Sequence, residues 1–401
     1  MKIVYVIDSL GSKGGAERIL SDKMSYLADH FGYDVHVVTC YQNPSVTPNV
    51  YPLSYRVGQT NLCIPYYSQY KYGYPQRLWV KWGLYRDFCR RLTETVQRLD
   101  PDVLVGLGYF QADVVTAIPC CAMKVVESHE ARLFTMSDSG LQRSWLSRLF
   151  MRFYRYRYFR SIERRADVVV TLTNGDAQQW SRARRVVVIP NFSSLKVHIT
   201  ASNSPSHPIT SSGSPSLPIK RVIAVGRLEW QKGFDRLIDA WSIIAPKHPQ
   251  WHLDIFGSGT LEDDLKTQIS NLTFHLSPLT PHPSISLHPF TADIMSEYAR
   301  SSIFALSSRF EGFGLVLLEA MQCGVPCVVF DCPYGPSDVV VDGECGFVVP
   351  DGNIDLFAQR LAQLMDDEQL RSRFSAAALR RAEVFSIDEV MKQWQQLFLR
   401  H

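Results

Sequence analysis

No apolar run of about 18 residues interrupts the 401-residue sequence, so no part of it reads as a membrane-spanning helix. Its opening, MKIVYVIDSL, places one Lys ahead of a short strand-like run that already contains Asp8. That run is too short for a signal peptide and lacks a small-residue cleavage site. The nine Cys fall into no metal-type spacing: Cys120 and Cys121 are adjacent, and Cys323 and Cys327 lie in apolar surroundings. An odd number without a framework points to a reducing, cytoplasmic setting. Neither G-x-G-x-x-G nor Gly-Lys-Ser/Thr follows the first apolar run, which sets aside a nicotinamide-dependent dehydrogenase and a P-loop nucleotidase. A net charge of +3 selects no partner by itself.

What the sequence does contain is strand–helix alternation, twice over. Ile3–Ile7, Val35–Thr39, Val103–Leu107, Lys124–Glu127, Val168–Thr171 and Val186–Ile189 read as buried parallel strands, with helical spacing over 15–30, 85–99 and 142–165. The pattern restarts with Arg221–Val225, Leu253–Phe256, Ile303–Leu306, Cys327–Phe330 and Phe347–Val349. Helices are predicted near 233–246, 261–270, 291–300, 314–323, 354–366 and 387–400. Such alternation means α/β architecture with doubly wound parallel sheets. Residues 198–219 are rich in Ser, Pro and Thr and read as a linker. Predicted limits are therefore 1–197 and 220–384 for two Rossmann-like domains, with 385–401 as a terminal helix that returns to the first domain. The Pro/His-rich stretch 276–289 reads as an insertion.

Three segments carry chemistry. Gly11-Ser-Lys-Gly14-Gly15-Ala16-Glu17 follows the first strand and opens a helix, where backbone amides can approach a phosphate. The same residues also make a plain tight turn. Gly226-Arg227-Leu-Glu-Trp-Gln-Lys232-Gly233 repeats the arrangement in the second half. Arg227 and Lys232 at such a turn can converge on a diphosphate, the Arg as a fork and the Lys as a point charge, or remain solvated loop charges. In Ser308-Arg-Phe-Glu311-Gly312-Phe313-Gly314-Leu315-Val316-Leu-Leu-Glu319, seven residues separate the two carboxylates. Glu311 precedes a helix and Glu319 lies on its second turn, in apolar company that argues against a solvated face. Carboxylates are the usual partners of sugar and ribose hydroxyl pairs.

In this order these segments resemble the GT4 family of retaining glycosyltransferases. The resemblance extends through Ser128-His129-Glu130, Ile189-Pro190-Asn191, Cys323-Gly324-Val325-Pro326, Gly335-Pro336-Ser337-Asp338 and Gly346-Phe-Val-Val-Pro350. It implies the GT-B fold, two Rossmann-like domains facing across a cleft. It implies transfer of a hexose or N-acetylhexosamine from a nucleotide diphosphate sugar, UDP favoured, to a glycan or lipid-linked acceptor. Arg227 and Lys232 would clamp the diphosphate; amides at Gly14, Gly15, Gly314, Leu315 and Val316 would hold its oxygens, with Gly226, Gly312 and Phe313 lining the site. Glu319 would bind the ribose hydroxyls, Glu311 those of the transferred sugar, and His129 would lie beside the reacting carbon. Glu17, Glu130 and Asn191 would serve the acceptor or the loops. No metal or cofactor is implied, so protein cations must stabilise the departing nucleotide. A nucleotide-sugar 2-epimerase would use the same cradle, and a non-catalytic sugar-nucleotide-binding protein is the reading outside catalysis.

Two segments of the first half have an unusual composition. Residues 51–85 concentrate Tyr and Trp among Lys71, Arg77 and Lys81, and residues 143–165 hold eight Arg against one Glu among aromatic rings. Basic and aromatic side chains together suit an anionic membrane surface, which predicts peripheral contact at the inner face of the plasma membrane. The alternative is that the rings pack on the sheet while the Arg side chains face water. No nucleic-acid recognition motif accompanies the charge.

Overall fold

The structure, a computed structural model, describes residues 1–12, 14–129, 132, 145–193, 220–275 and 285–400, without the side chains of 145–152 and 273–275. The chain forms two α/β units, Met1–Pro190 with Val390–His401, and Asn191–Glu389. In the first unit the strands are β1 (Lys2–Ile7), β2 (Asp34–Thr39), β3 (Gly58–Asn61), β4 (Val103–Leu107), β5 (Met123–Ser128), β6 (Val168–Thr171) and β7 (Val186–Val188). They make one parallel sheet in the order β3-β2-β1-β4-β5-β6-β7. β1 is central, with Ile3 in register with Val35 on one side and Val103 on the other. Its residues Ile3 to Ile7 are all buried, as expected of a β-branched strand covered on both faces.

In the second unit β8 (Arg221–Val225), β9 (His252–Phe256), β10 (Ile285–His288), β11 (Ile303–Leu306), β12 (Cys327–Asp331) and β13 (Gly346–Pro350) order as β10-β9-β8-β11-β12-β13, again parallel. Its core joins Val222, Ala224, Leu253, Ile255 and Val328 of the strands to Leu237 and Trp241 of helix Phe234–Ile244 and to Phe357 and Leu361 of helix Ile354–Asp366. Each fully buried Val, Leu, Ile or Phe side chain of this core contributes about 1.5–3 kcal/mol. In each sheet the connections leave in opposite directions from two neighbouring strands, β1 and β4 in the first, β8 and β11 in the second. Crevices at the carboxyl ends of such pairs are where open α/β sheets hold ligands.

Several predicted limits shift. The stretch 276–289 is not wholly an insertion: Ile285–His288 pair with Leu253–Phe256 as an edge strand, while 276–284 and the predicted linker 198–219 lie outside the described residues. β3 was not predicted either, because GQTN lacks an apolar face and only lines the edge of β2. The predicted helix 85–99 begins at Gln76, and helices Tyr109–Ala117, Asn174–Gln179 and Glu368–Glu383 add to the expected set. The first unit ends at Pro190 rather than at 197, and residues 191–193 belong to the second, where Ser193 O accepts from Gln322 Nε2 at 3.5 Å. The return to the first unit begins at Val390 rather than at 385, because Phe385 stacks edge-on to Phe313, ring centres 5.8 Å apart. Beyond it, helix Ile387–Leu399 buries Val390, Met391, Trp394, Leu397 and Phe398.

One glycine fixes the spacing of the two central turns of the second unit. Gly233 caps helix Phe234–Ile244 at φ +62°, and a Cβ there would stand 2.2 Å from the Ser307 carbonyl oxygen. Both the left-handed backbone and the close approach exclude a side chain. Gly233→Ala is therefore expected to cost about 1–3 kcal/mol, read as a lower urea midpoint. An unchanged midpoint would mean that the two turns are not held this closely.

Candidate active site

The crevice between β8 and β11 gathers the residues that the sequence singled out in the second half. After β8 the chain passes Gly226 and Arg227 into the short 3-10 turn Trp230–Lys232. The Lys232 side chain runs back across Gly226, its Cγ and Cδ 3.2 Å from where a Cβ of that residue would lie. Gly226 is glycine because the lysine stem occupies that space. Lys232 Nζ then donates to Glu311 Oε1 at 2.7 Å, and Ser308 Oγ donates to the same oxygen at 2.6 Å. Both charged side chains are largely withdrawn from water, 14% and 6% exposed, so this ion pair is screened far less than a surface one.

Further bonds stitch the turn after β8 to the turn after β11. Arg309 N donates to Gln231 O at 2.8 Å, Ser307 Oγ to Lys232 O at 3.0 Å and Gln231 Nε2 to Phe310 O at 3.1 Å. Arg309 also forks onto Asp235 at 2.8 and 2.5 Å. The preference of Arg for such bidentate geometry makes this a rigid brace. Arg227 behaves differently: it is exposed and has no ion-pair partner among the described residues. The two cations thus share one turn, but only Lys232 is pinned.

Behind Glu311, helix Leu315–Gln322 starts from Gly314 at φ +87° with no side-chain cap. Its first amides have no intrahelical acceptor, and Leu315 and Val316 are only half-buried. Amides so placed, at the positive end of the helix dipole, can receive an anion. Gly312 is half-buried beside them, and Phe313 is buried against Phe385. Glu319, on the next turn, is buried rather than on a solvated face, and Tyr298 donates its hydroxyl to Oε2 at 3.3 Å. Burial first, then the neighbouring Glu319 charge, push the Tyr298 hydroxyl well above its ordinary range, so it stays a donor.

In the first unit Gly14 precedes helix Gly15–Asp29, also without a side-chain cap. There Glu17 folds over the helix start: its Oε2 lies 2.0 Å from the position of a Gly14 Cβ, and Ser12 Oγ donates to its Oε1. A carboxylate already sits on this helix N-terminus, which therefore offers a phosphate less than Gly314 does. Asn191 is buried at the start of the second unit, and Glu130 lies outside the described residues.

His129 follows β5, and its Nε2 lies 2.9 Å from Glu127 Oε1. Sequence reasoning missed what holds it. Glu127 is fully buried in β5 and forms an ion pair with Lys23, equally buried on helix Gly15–Asp29. Lys23 Nζ also lies 4.1 Å from the Trp394 ring centre and 5.3 Å from that of Tyr5, a desolvated cation–π contact. Burial drives the Glu127 carboxyl up, and the charges of Lys23 and His129 more than reverse this, holding it at about 2. The sequence did hold a signal: Lys23 stands four residues from both Ile19 and Leu27, on the buried stripe of its helix.

Ser128 and Arg132 mark a second polar centre, around Asp176. Ser128 Oγ donates to Asp176 Oδ2 at 2.8 Å, and the Arg132 amide donates to Oδ1 at 3.0 Å. The Arg132 side chain pairs with buried Glu163 at 2.8 Å beneath the rings of Phe159 and Trp180.

Residues 216–381 match the family model described as glycosyl transferases group 1, and residues 14–191 match the one described as glycosyl transferase 4-like domain. A glycosyltransferase of Haemophilus influenzae is 27% identical over 399 residues, 98% of this chain and 99% of the relative. The amylovoran biosynthesis glycosyltransferase AmsD of Erwinia amylovora is 28% identical over 413 aligned residues, 99% of both chains. Among solved structures, TarM of Staphylococcus aureus with fondaparinux, α-GlcNAc-glycerol and UDP covers 99% of both chains at TM-score 0.72 and 15% identity. Anabaena HepE with UDP and glucose covers 100% of both at TM-score 0.71 and 19% identity.

Two outcomes follow from the buried pair of the first unit. Glu127→Gln leaves the Lys23 ammonium buried without a counter-charge and should cost about 3–5 kcal/mol, read as a lower urea midpoint. Lys23→Met combined with Glu127→Gln should recover much of that loss. Because the folded carboxyl titrates far below the unfolded one, the stabilisation from Glu127 is complete above the ordinary carboxylate range and is lost as pH falls through about 2.

Proposed function

Because this chain belongs to the group 1 glycosyltransferases, we propose that it moves a hexose or N-acetylhexosamine from a UDP-sugar to a lipid-linked or polysaccharide acceptor, with retention of the anomeric configuration. The observation that carries this reading is the Lys232–Glu311 pair, set between β8 and β11 beside the uncapped start of helix Leu315–Gln322. Lys232, exposed Arg227 and the amides of Leu315 and Val316 supply the positive field that a departing nucleoside diphosphate needs. Glu319, steadied by Tyr298, offers its carboxylate to the ribose hydroxyls, and Glu311 to those of the transferred sugar. We assign His129 to the reacting sugar, oriented by Glu127.

The preference for UDP draws support from TarM and HepE, whose solved structures hold UDP. The acceptor class draws support from AmsD, which acts in amylovoran biosynthesis. It draws further support from a poly(glycerol-phosphate) α-glucosyltransferase of Bacillus subtilis, 32% identical over 174 residues, 43% of this chain and 25% of that enzyme. An acceptor on a lipid or on a growing surface polymer would bring the enzyme to the membrane. The charge of the departing group is met by protein groups, so no metal or cofactor is required in this reading.

Thermal shift against UDP, GDP, ADP and UDP-sugars tests the donor site. UDP at about 100 times its dissociation constant should add about 2.7 kcal/mol, a rise of about 5–10 °C for a domain of this size. Glu319→Ala should weaken UDP about 10- to 100-fold, the range of a hydrogen bond to a charged group. Lys232→Ala should lower kcat and also raise KM, because it strips Glu311 of its counter-charge. No shift with any nucleotide, in a folded sample, would overturn the donor reading. Conversion of a UDP-sugar to its 2-epimer without an acceptor would replace transfer with epimerisation, and a β-linked product from an α-linked donor sugar would remove retention.

A further inference from the structure

We propose that the surface formed by residues 66–86 of the first unit docks the protein on an anionic bilayer. The inference deepens the proposed function by naming the surface that meets a lipid-linked acceptor. Helix Gln76–Leu99 is anchored by Phe88, Leu92, Thr95 and Val96, and none of its residues before Phe88 is buried. That free portion is not polar, as a solvated helix end would be. Trp79 is 73% exposed, Trp82 54% and Leu78 50%, and in the preceding turn Tyr74 is 82% and Tyr67 73% exposed. Trp79 and Trp82 stand three residues apart on one face, their rings edge to face at 6.3 Å. Contiguous exposed apolar surface of this kind, rimmed by polar residues, marks an interaction site.

Charge identifies the occupant. Between residues 35 and 86 the sequence has no Asp or Glu, while Lys71, Arg77, Lys81 and Arg86 stand among the rings. Arg77 lies over Tyr70 at 4.1 Å and Arg86 over Trp82 at 4.7 Å, so ring and cation form single units. The pattern stops at Asp87, where Arg90 and Arg91 are already paired with that carboxylate at 2.7 and 2.9 Å. Within the patch a cavity of about 250 Å³ is lined by Tyr70, Tyr74, Arg77, Leu78 and Lys81. An apolar wall with two cations at its rim suits a lipid phosphate with the start of its acyl chains. Tryptophan and tyrosine partition to the headgroup level, and cations there meet the negative surface potential. In the described part of the other basic, aromatic segment, helix Trp145–Arg165, Phe159 and Ile162 are buried and Arg165 is paired with Asp113, while Phe153, Tyr154 and Tyr156 are exposed.

Vesicle flotation with the full chain tests this. The protein should float with phosphatidylglycerol-containing vesicles and not with pure phosphatidylcholine. Trp79→Ser combined with Trp82→Ser should weaken that partition about tenfold or more, as expected for two buried aromatic surfaces. Lys81→Gln and Arg86→Gln should each weaken it about fivefold, as expected per interfacial cation. These side chains are exposed, so the variants should keep the native unfolding midpoint and the UDP shift, which separates this inference from the donor reading. Equal flotation of the Trp variant, no flotation of the parent, or retention of the parent by soluble poly(glycerol phosphate) but not by vesicles would each overturn the proposal.

Discussion

The second unit depends on the reversal of strand order between the parallel neighbours β8 and β11. Because connections leave these neighbours toward opposite edges of the sheet, their two turns border a crevice at the carboxyl ends of the strands. Polar backbone in such turns must find partners once water is partly excluded. The chain meets this demand by tying turn to turn: Arg309 N to Gln231 O, Ser307 to the Lys232 carbonyl, and Gln231 to the Phe310 carbonyl. Lys232 and Glu311 are thereby brought to 2.7 Å. Neither charge is independent of the other. In the proposed reaction the lysine that would meet the phosphate and the glutamate that would meet the sugar begin from one shared ion pair, so a change at either alters the field at both.

The first unit has a buried charge of its own, arranged differently. Lys23 and His129 both address Oε1 of Glu127, while Oε2 is buried without a hydrogen-bond partner among the described residues. A buried ion pair contributes little net stability, because desolvation offsets most of the attraction. A reason to keep it is orientation: Glu127 fixes which imidazole nitrogen of His129 is engaged, and Lys23 keeps that carboxylate ionised within the sheet. Trp394 closes the other side of the ammonium. The last helix of the chain thus contributes to the environment of His129 through one intervening lysine.

How much of this could be read from the sequence varied with the physical origin of each feature. Strands buried on both faces, such as Ile3–Ile7 and Arg221–Val225, announce themselves because burial demands unbroken β-branched residues. Edge strands do not: Gly58–Asn61 has one neighbour and no apolar face, and Ile285–His288 follows prolines and histidines that read as loop. Glu311, Glu319, Arg227 and Lys232 were legible because their spacing around glycine-rich turns is local. The pairing of Lys232 with Glu311 was not, since 79 residues separate them and only the neighbouring of β8 and β11 joins them. Lys23 and Glu127, 104 residues apart, were hidden for the same reason. In the sequence each looks like a single charge on an apolar element.

The two glycine-rich turns also cease to be equivalent once their neighbours are known. Both open a helix, both lack a side-chain cap, and by sequence both qualify to hold phosphate. At Gly14 the third helical residue is Glu17, whose carboxylate bends back over the turn and takes the Ser12 hydroxyl. An anion approaching those amides meets a negative charge at the end where the dipole is positive, and the two effects oppose each other. At Gly314 the first helical turn, Leu315 to Leu318, carries no charge, and Glu319 follows on the next turn, where Tyr298 donates to its carboxylate. Dipole, free amides and the nearby cations then act in the same sense. Of the two turns, the one in the second unit is therefore the better suited to the phosphate of the proposed donor, and the glycines of the first allow Glu17 to fold across the helix start.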